Sequence, residues 1–462
     1  MKDVTFEISD FGPINNAKIN LSKINVVCGI NGSGKTTLSK IIYSILATYT
    51  DVGDLILKEM IHMFAKYIKD EISKYKDEAE VNNVYNKLNE LNNEFIYLNN
   101  YKNLKEDIKY DIIDLALFFK DSDKIHSNKL FIGLFELLVL IDSLYDDNLK
   151  NSEIIAQFFN NIFGDDLYLI NKWNKNANIK AYTNDKSFSA NLSFPLKDYP
   201  LNVKRIMDKL DNKEYHSQLS VNGKFYINEI FYIETPFLLD FFKHINPLYD
   251  DIKGLKLLNT NDDNNFCFHQ SSLILKLMSE NISSKYSQNN NNSEILKLFD
   301  NVLNGSIEFN PENNKFFYSE KNNDYSMSST ASGMKSIGVL KALIKKNLDS
   351  NSLIIIDEPE IHLHPEWQIK LVELIVILSK EHDFNFYINS HSPQFVEAFE
   401  VLSEKYGMGN DINFYLSEEH EDSNKFEFKK IDRENLRFIY RNLGRPYRKI
   451  NEIRGENLNK KT

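Results

Sequence analysis

The sequence predicts an α/β fold that carries a helical insertion. Two predominantly apolar runs predict buried strands of a largely parallel sheet. They are Ile24 to Cys28, and Leu353 to Glu358, which is acidic at its last two residues. Between residues 51 and 165, apolar side chains instead recur at spacings of three and four, which is the period of a helix. Strands near both ends of the chain therefore indicate one sheet that helices interrupt in sequence.

Composition limits the class of protein. The chain has 462 residues, of which 42% are hydrophobic and 13% aromatic, so it can bury one large core or two to three smaller ones. Its net charge of -11 argues against a surface that binds nucleic acid throughout, although a local basic patch is compatible with that charge. We therefore expect protein partners and leave nucleic-acid binding open.

Cysteine content and the N-terminal segment predict a cytoplasmic protein. Cys28 and Cys267 are too few for a disulfide framework or a CxxC zinc site, and they fit a reducing compartment. The segment MKDVTFEISD does not have the pattern of a secretory signal. The most apolar stretch, which begins at Leu130, is interrupted by Glu136 and Asp142 and is predicted to be a core helix, not a membrane span.

The N-terminal segment predicts the first strands of the sheet, followed by the insertion. Two short outer strands precede the buried strand at Ile24 to Cys28, and a helix follows from Thr36. The apolar stripes of 51–165 fit two helices of an ordinary bundle or a short coiled-coil hairpin used for assembly. They consist of Leu57, Ile61, Phe64, Ile68, Ile72, Tyr75 and Ala79, and of Val84, Leu88, Leu91, Phe95 and Leu98.

The C-terminal half alternates between strand and helix patterns. Period-two alternation occurs in KSFSANLSF and in FYINEIFYIETP, while SQNNNNSE, around Asn289 to Asn292, predicts a polar loop. GSIEFNPENNKFFYSEK predicts a hairpin whose turn is Asn-Pro-Glu-Asn-Asn. A helix with the apolar face Ile337, Leu340, Leu343 and Ile344 follows, then a strand from Asn385, the strand pair INFYL and KFEFKKI, and a helical tail.

Residues Gly29 to Thr36, GINGSGKT, match the phosphate-binding pattern G-x-x-x-x-G-K-[ST] between a buried strand and a helix. The glycines let backbone N–H groups surround a β-phosphate, and the positive end of the helix faces the same anion. Lys35 is predicted to contact the β- and γ-phosphates, Thr36 to hold Mg²⁺ and Thr37 to reach the α-phosphate. The predicted ATP-binding residues are Gly29, Asn31, Gly32, Ser33, Gly34, Lys35, Thr36 and Thr37.

The acidic end of the second apolar run fits the same nucleotide site. Asp357 is predicted to hold Mg²⁺ through water, and Glu358 to polarise the attacking water. His362 and His364 raise the alternative of a direct metal site, but two histidines lack the further ligands that zinc requires, and no cysteine is near in sequence. We interpret these histidines as interface or loop-positioning residues.

Two further segments add candidate groups for an anion. Ser332, Gly333 and Lys335, in ASGMKS, are predicted to lie just before a helix whose N-terminus is open to an anion, although an ordinary capped helix can have the same sequence pattern. The strand NFYINS ends at His391, whose imidazole could reach a γ-phosphate, whereas an isolated loop histidine is the simpler alternative.

In the order GINGSGKTT, ASGMKS, IIIDEPEIHLHP and NSHSPQF, the chain resembles the ABC-type ATPase heads of the structural-maintenance (SMC), RecF and OLD families. The resemblance covers about residues 1–50 and 225–432. It implies a P-loop NTPase of the ABC/SMC-head type in which two heads sandwich two ATP molecules in a homodimer or higher homo-oligomer. Ser332 and Gly333 would act in trans, Glu358 as the catalytic carboxylate and His391 as the switch histidine.

The resemblance also implies a division of the chain. Residues 1–50 and 166–432 would form the head, 51–165 the helical insertion and 433–462 a basic helical tail. The loop Pro359–His364 would cross the dimer seam. The family's expected glutamine has only Gln218 and Gln270 as candidates, and ASGMKS differs from the transporter signature LSGGQ.

Within this class, IFYIETP, ASGMKS, DEPEIHLHP and RNLGRPYRKINEIR look like the stand-alone ATPases of bacterial anti-phage operons, such as the AriA ATPases of PARIS and the PtuA ATPases of Septu. This resemblance implies an ATP-hydrolysing sensor and scaffold that controls a separately encoded nuclease and responds to a phage protein. The alternative is a RecF-like or SMC-like repair ATPase that clamps duplex DNA. The basic tail would dock a partner or a nucleic-acid backbone, or be a solvated helix.

Overall fold

A computed structural model describes residues 4–50, parts of 154–163, 177–193, 219–241, 267–278 and 290–459, apart from a few positions inside those ranges. Most of the insertion predicted for 51–165, including the apolar run from Leu130, lies outside the described residues. Within the described ranges, no helix combines the length and low charge that crossing a bilayer requires. The described positions at the end of the insertion, Ile154, Ile155, Phe158, Phe159, Ile162 and Phe163, are helical and buried.

The described strands and helices have the following bounds. The strands are β1 (Val4–Phe11), β2 (Ile14–Asn20), β3 (Ile24–Cys28), β4 (Asn178–Thr183), β5 (Phe188–Ser193), β6 (Leu219–Gly223), β7 (Ile230–Ile233), β8 (Ser306–Asn310), β9 (Lys315–Glu320), β10 (Asn323–Ser326), β11 (Leu353–Asp357), β12 (Asn385–Ser390), β13 (Ile412–Glu419) and β14 (Phe426–Ile431). The helices are α1 (Lys35–Ala47), α2 (Leu238–Phe241), α3 (Phe268–Met278), α4 (Asn290–Asp300), α5 (Ser332–Lys345), α6 (Pro365–His382), α7 (Pro393–Lys405), α8 (Arg437–Leu443) and α9 (Arg445–Asn459).

Eleven of these strands form one mixed sheet in the order β6-β5-β4-β1-β2-β14-β13-β3-β12-β11-β7. Strands β13, β3, β12, β11 and β7 run parallel to one another, whereas β6, β5, β4, β1 and β2 pair in antiparallel fashion. Every residue of β3 and β12 is buried, as expected for parallel strands covered on both faces. The α/β fold predicted from the apolar runs is confirmed.

Different helices cover the two faces of the parallel strands. On one face, Val26, Ile354 and Phe386 belong to a single apolar cluster with residues of α5, α6 and α7. The other face carries α1, which packs against β7, β11 and β12, and its Tyr43 ring lies 6.2 Å from the ring of Tyr232. Because α1 follows β3 closely and is packed along its length, the loop between them is anchored at both ends.

The predicted hairpin is confirmed and carries a third strand. β8 and β9 pair in antiparallel fashion, and β10 pairs with the other side of β9. Asn310 closes the turn, since its Oδ1 accepts from the backbone N–H groups of Glu312 at 2.9 Å and Asn313 at 3.3 Å. Ile307 of β8 lies against Gly338 of α5, where a Cβ would come within 2.9 Å of its side chain. The small sheet therefore packs closely on α5.

Two predictions from local patterns need correction. The polar loop predicted around Asn289 to Asn292 is wrong from Asn290 onward, because α4 begins there. Buried Ile295 and Phe299 give this helix an apolar face, and that packing outweighs the low helix propensity of asparagine. The period-two pattern in FYINEIFYIETP extends to Pro236, but β7 spans only Ile230–Ile233, and all four of its residues are buried.

The C-terminal residues form two helices with different surroundings. In α8, Ile439 and Leu443 are buried and belong to the large apolar cluster. Tyr440 of the same helix donates a hydrogen bond to Glu400 of α7. In α9, by contrast, every residue from Arg448 to Arg454 is exposed. The segment predicted as a basic helical tail is thus docked in its first half and solvent-facing in its second.

Candidate functional site

The parallel strands β3, β11 and β12 end side by side, so the loops after them meet at one edge of the sheet. Ser390 of β12 is in register with Cys28 of β3, and Asp357 of β11 is in register with Asn389 of β12. The carboxyl ends of neighbouring parallel strands are the usual position of ligand sites in open α/β sheets. The topology therefore gathers the segments that contain Lys35, Glu358 and His391.

The loop after β3 leaves the N-terminus of α1 open to a ligand at this edge of the sheet. Gly32 and Gly34 have φ angles of 79° and 93°, in the left-handed region that glycine adopts without steric cost. Gly34 is the N-cap of α1 and provides no side-chain acceptor, and the first turn contains no acidic residue. Ser33 is buried, and its Oγ has no hydrogen-bond partner among the described residues. Such donors at the positive end of a helix fit an anion.

Lys35 is held by the carbonyl groups of its own loop. Its Nζ donates to the oxygens of Gly29 at 2.9 Å and Ile30 at 3.0 Å, and lies 3.7 Å from Oε1 of Glu358. The loop itself is tightly packed, because a Cβ on Gly29 would lie 1.8 Å from Oγ of Ser417 in β13. A buried ammonium that is bonded to main-chain carbonyls can exchange them for the oxygens of a phosphate.

Several neutral donors converge on Asp357 at the end of β11. Thr36 Oγ1 and Tyr232 OH each donate to Oδ2 at 2.7 Å, and Ser39 Oγ donates to Oδ1 at 3.3 Å. Asn389 Nδ2 also donates to Oδ1. Burial raises the pKa of Asp357, and the hydrogen bonds from Tyr232 and Thr36 oppose that shift. The Thr36 hydroxyl and Asp357 carboxylate form the kind of oxygen pair that Mg²⁺ prefers.

Glu358 and His391 face each other across the strand ends. His391 Nδ1 lies 3.4 Å from Glu358 Oε1. The contact with the His391 imidazole lowers the pKa of Glu358 and raises the pKa of His391. Glu358 also has a φ of 49°, a left-handed backbone that is unfavourable for a residue with a side chain and is concentrated at functional sites. The site therefore holds an ionised carboxylate beside Lys35.

Another carboxylate follows β7 at the same edge of the sheet. Glu234 lies 3.1 Å from Lys40 Nζ and 3.1 Å from His269 Nε2. Burial raises the pKa of Glu234, but the hydrogen bond from His269 and the charge of Lys40 outweigh it and lower that pKa to about 2. Burial lowers the pKa of His269 itself. This cluster ties α1 and α3 to the end of β7.

Of the two candidates for the family's expected glutamine, only one is described. Gln270 lies in the first turn of α3, where its Oε1 accepts a hydrogen bond from the backbone N–H of Cys267 at 3.2 Å. Its side chain therefore helps to begin a helix. Gln218 lies outside the described residues.

Ser332, Gly333 and Lys335 were predicted to precede the helix, but they lie in the first turn of α5, beside the loop that follows Glu358. A Cβ on Gly333 would lie 2.8 Å from the carbonyl oxygen of His362 and 2.7 Å from Cδ2 of Leu363, so this close approach requires glycine. Among the described residues, no hydrogen bond or ion pair joins Ser332 or Gly333 to Lys35. The structure of one chain thus gathers the other predicted groups, and the action of Ser332 and Gly333 in trans stays a prediction.

The two histidines of the same loop have local surroundings that differ. His364 is the N-cap of α6, and its Nδ1 accepts from the backbone N–H of Glu366 at 3.4 Å. His362 has a left-handed backbone with a φ of 67°. In the part of the chain that the structure describes, no three or more His, Cys, Asp or Glu side chains are grouped so as to hold a metal ion.

Several side chains that complete this cluster were not predicted individually as site residues. Tyr232 and Asn389 lie in strands that the motifs FYIETP and NFYINS already marked, and Ser39 lies one helical turn after Thr36. Glu360, in the motif DEPE, is only 4% exposed. The signal that could have found them is a polar residue at a position where the strand or loop pattern predicts burial.

Fold and site together define a P-loop NTPase: a strand, a glycine-rich loop and a helix provide an anion site, and a second strand brings a carboxylate to the threonine hydroxyl. The chain belongs to the AAA ATPase domain family, whose sequence profile matches residues 1–396. It is therefore a nucleotide-binding protein of an ATPase family.

The chain is also similar to the Septu protein PtuA of Bacillus thuringiensis, with 33% identity over 127 residues. That match covers 24% of this chain and 31% of the relative's own length. Among solved structures, it matches the SMC head domain from Thermotoga maritima with 10% identity and a TM-score of 0.35, over 94% of this chain and 100% of that one. An Smc head domain from Pyrococcus furiosus, bound to the C-terminal domain of ScpA, matches with 12% identity and a TM-score of 0.35, over 98% and 100%.

Proposed function

We propose that this chain is the ATP-binding and ATP-hydrolysing sensor and scaffold of a bacterial anti-phage system, and that it controls a separately encoded nuclease. The observation that carries the ATPase part is the hydrogen bond of 2.7 Å between Thr36 Oγ1 and Asp357 Oδ2, which joins the phosphate loop to the second acidic strand. The similarity to PtuA of Septu supports the defence part.

The residues present fit ATP and Mg²⁺. Backbone N–H groups of Gly32, Ser33 and Gly34, together with the Lys35 ammonium, are donors for the β- and γ-phosphates. Thr36 and Asp357 offer the oxygen atoms that would hold Mg²⁺, which neutralises charge on the phosphates when it is bound. The same assignment gives Gly29, Asn31 and Thr37 the role of shaping the loop and contacting the nucleotide.

Hydrolysis then depends on groups that already lie together in the chain. Glu358, kept ionised by His391 and Lys35, accepts a hydrogen bond from the water and orients it. His391 Nδ1 lies 3.4 Å from Glu358 Oε1. We assign the imidazole the role of donating a hydrogen bond to a γ-phosphate oxygen. Ser332 and Gly333 of a second copy would close the site, since the N-terminus of α5 offers donors of its own.

We propose α9 as part of the surface that docks the nuclease. Its Arg445, Arg448, Lys449 and Arg454 lie on a chain of net charge -11, and Tyr447 and Ile450 are exposed between them. Complementary charge mainly accelerates and orients association, so charge reversal at Arg441, Arg445 and Arg448 should weaken the complex more in low salt than in high salt.

The test is co-expression with the product of the neighbouring gene under phage challenge. We expect protection and a co-purifying complex, and we expect Lys35→Ala to abolish both nucleotide binding and protection because it removes the only lysine in the GINGSGKT loop. Lys430→Ala, at an exposed lysine of β14, is the matched control. Protection by this chain alone would contradict control of a separate nuclease. ATP-dependent clamping of bare duplex DNA would favour the repair ATPase instead.

A further inference from the structure

Glu360 is a buried carboxylate that is bonded to the end of the neighbouring strand. It is 4% exposed, in the loop directly after Glu358. Its Oε1 accepts a hydrogen bond from Ser390 Oγ at 2.6 Å and another from the backbone N–H of His391 at 3.0 Å. One oxygen atom therefore fixes both the last residue of β12 and the first residue of the loop that carries the imidazole.

The His391 ring lies between two carboxylates as a result. Its Nδ1 is 3.4 Å from Oε1 of Glu358 and 3.7 Å from Oε1 of Glu360. The backbone is joined as well, since the N–H of Glu358 donates to the carbonyl oxygen of Asn389 at 3.0 Å. Displacement of the Glu360 contacts would thus move the imidazole relative to Glu358.

A buried carboxylate is an energetically unfavourable group for holding two loops together. Burial of an ionisable group is unfavourable unless its oxygen atoms are satisfied, and Oε2 of Glu360 has no hydrogen-bond partner among the described residues. Burial also raises the pKa of Glu360. Buried polar groups that are incompletely satisfied are concentrated where function requires a fixed geometry.

We infer that Glu360 is a positioning residue for ATP hydrolysis: by holding Ser390 and the backbone of His391, it sets the imidazole against Glu358. It acts by accepting hydrogen bonds and does not touch the nucleotide. This inference rests on the proposed function, because it assigns a role within the same hydrolytic site.

The expected kinetic effect is on turnover and not on binding. Glu360→Ala should lower kcat by about tenfold to a hundredfold, the scale for misplacement of a catalytic group, while the Kd for ATP stays within about twofold because the phosphate loop is unchanged. Glu360→Gln keeps a carbonyl oxygen that accepts the same two hydrogen bonds, so it should restore kcat to within about threefold of the parent. Glu366→Ala, at an exposed glutamate in the first turn of α6, is the matched control.

A double-mutant cycle separates positioning from a purely structural role. If Glu360 acts through His391, Glu360→Ala should lower kcat much less in a His391→Ala background than in the parent. Additive losses, or a loss of thermal stability with unchanged kcat per folded molecule, would overturn the inference. Ser390→Ala, which removes one of the two donors, serves if Glu360→Ala does not fold, and it should lower kcat by a smaller factor.

An NMR readout distinguishes failure of this inference from failure of the proposed function. In histidine-labelled protein without nucleotide, with His391→Ala used for assignment, Glu360→Ala should shift or broaden the imidazole signals of His391, and Glu366→Ala should not. Unchanged signals would overturn the positioning role even if the parent hydrolyses ATP. A parent that lacks ATPase activity but shows the shift would instead contradict the proposed hydrolysis and leave the contact established.

Discussion

Asp357 and Glu358 are adjacent carboxylates whose environments shift their pKa values in opposite directions. Burial raises the pKa of Asp357, whereas the contact with His391 lowers the pKa of Glu358. Pairs of titratable groups that are separated in this way commonly carry different chemical roles. Here the neutral donors Thr36 and Tyr232 hold Asp357, whereas the imidazole of His391 and the ammonium of Lys35 lie beside Glu358.

Glu358→Gln tests the proposed division of roles at this pair. The substitution removes the charge and keeps the size of the side chain, so we expect ATP binding to be retained while hydrolysis slows by about 10² or more, the scale of a general base. Phosphate release in single-turnover reactions and calorimetric titration measure the two quantities. Undiminished phosphate release would remove Glu358 from the mechanism, and Glu366→Gln controls for loss of a nearby negative charge.

The Glu234 cluster makes a prediction about stability and pH. The pKa of Glu234 is lowered from 4.5 to about 2, so the folded state binds fewer protons than the unfolded state between those values. Its stabilising contribution is therefore full above about pH 5 and is lost as the pH falls towards 2. We expect Glu234→Gln to reduce the free energy of unfolding most at pH 7 and progressively less below pH 4.5.

Denaturant titrations of the parent and Glu234→Gln between pH 7 and pH 3 measure that difference. Glu421→Gln, at an exposed glutamate, should stay within about 0.5 kcal/mol of the parent throughout. If Glu234→Gln lowered the free energy of unfolding by the same amount over the whole pH range, the carboxylate would not be stabilised by His269 and Lys40.

At the scale of elements, the C-terminal helices α8 and α9 differ in how they are held. Ile439 is fully buried in α8, next to Tyr440, which donates to Glu400, and the nearby Arg433 lies 2.6 Å from Glu404. Ile450 in α9 is 52% exposed. Helix α8 is therefore part of the ATPase core, whereas α9 is exposed and could contact a partner.

Matched isoleucine substitutions test this difference. Ile439→Ala leaves a cavity in the apolar cluster and should lower the free energy of unfolding by about 2–5 kcal/mol. Ile450→Ala removes exposed surface and should change it by no more than about 0.5 kcal/mol. Chemical denaturation of the isolated chain measures both. A large decrease in the free energy of unfolding from Ile450→Ala would mean that α9 is covered in solution. That result would weaken the assignment of α9 as a docking surface.

At the scale of the whole molecule, one chain gathers the phosphate loop, Asp357, Glu358 and His391, and among the described residues no hydrogen bond or ion pair joins Ser332 to Lys35. We predict a composite site that two copies complete. Mixing Lys35→Ala with Ser332→Arg should restore part of the ATPase activity, because one of the two mixed sites then pairs an intact phosphate loop with an intact Ser332.

The matched control is a mixture of Lys35→Ala with Glu358→Gln. Both substitutions lie in the half of the site that one chain supplies, so no mixed dimer contains an intact site and no rescue is expected. Steady-state ATPase measurements across mixing ratios, with mixed oligomers verified by differential tags, provide the test. Equal behaviour of the two mixtures would indicate a site closed within one subunit.

Local sequence determined the phosphate loop, the flanking strand and helix, and the acidic end of β11. Those features depend on short-range patterns: glycines that permit left-handed backbone, and apolar runs that must be buried on both faces. The hairpin at Ser306–Glu320 was predictable for the same reason, since Asn310 closes its turn locally. The family motifs in their order also sufficed to predict a P-loop ATPase.

Only the tertiary structure decided which distant side chains meet. Tyr232 and Asn389 reach Asp357, and Ser390 reaches Glu360, because β7, β11 and β12 are neighbours in the sheet, and strand order is not encoded in any local pattern. Packing likewise turned the asparagine-rich segment at Asn290 into the start of a helix. The physical reason is common to all of these: local periodicity fixes which face of an element is apolar, whereas long-range pairing fixes what that face and its polar ends contact.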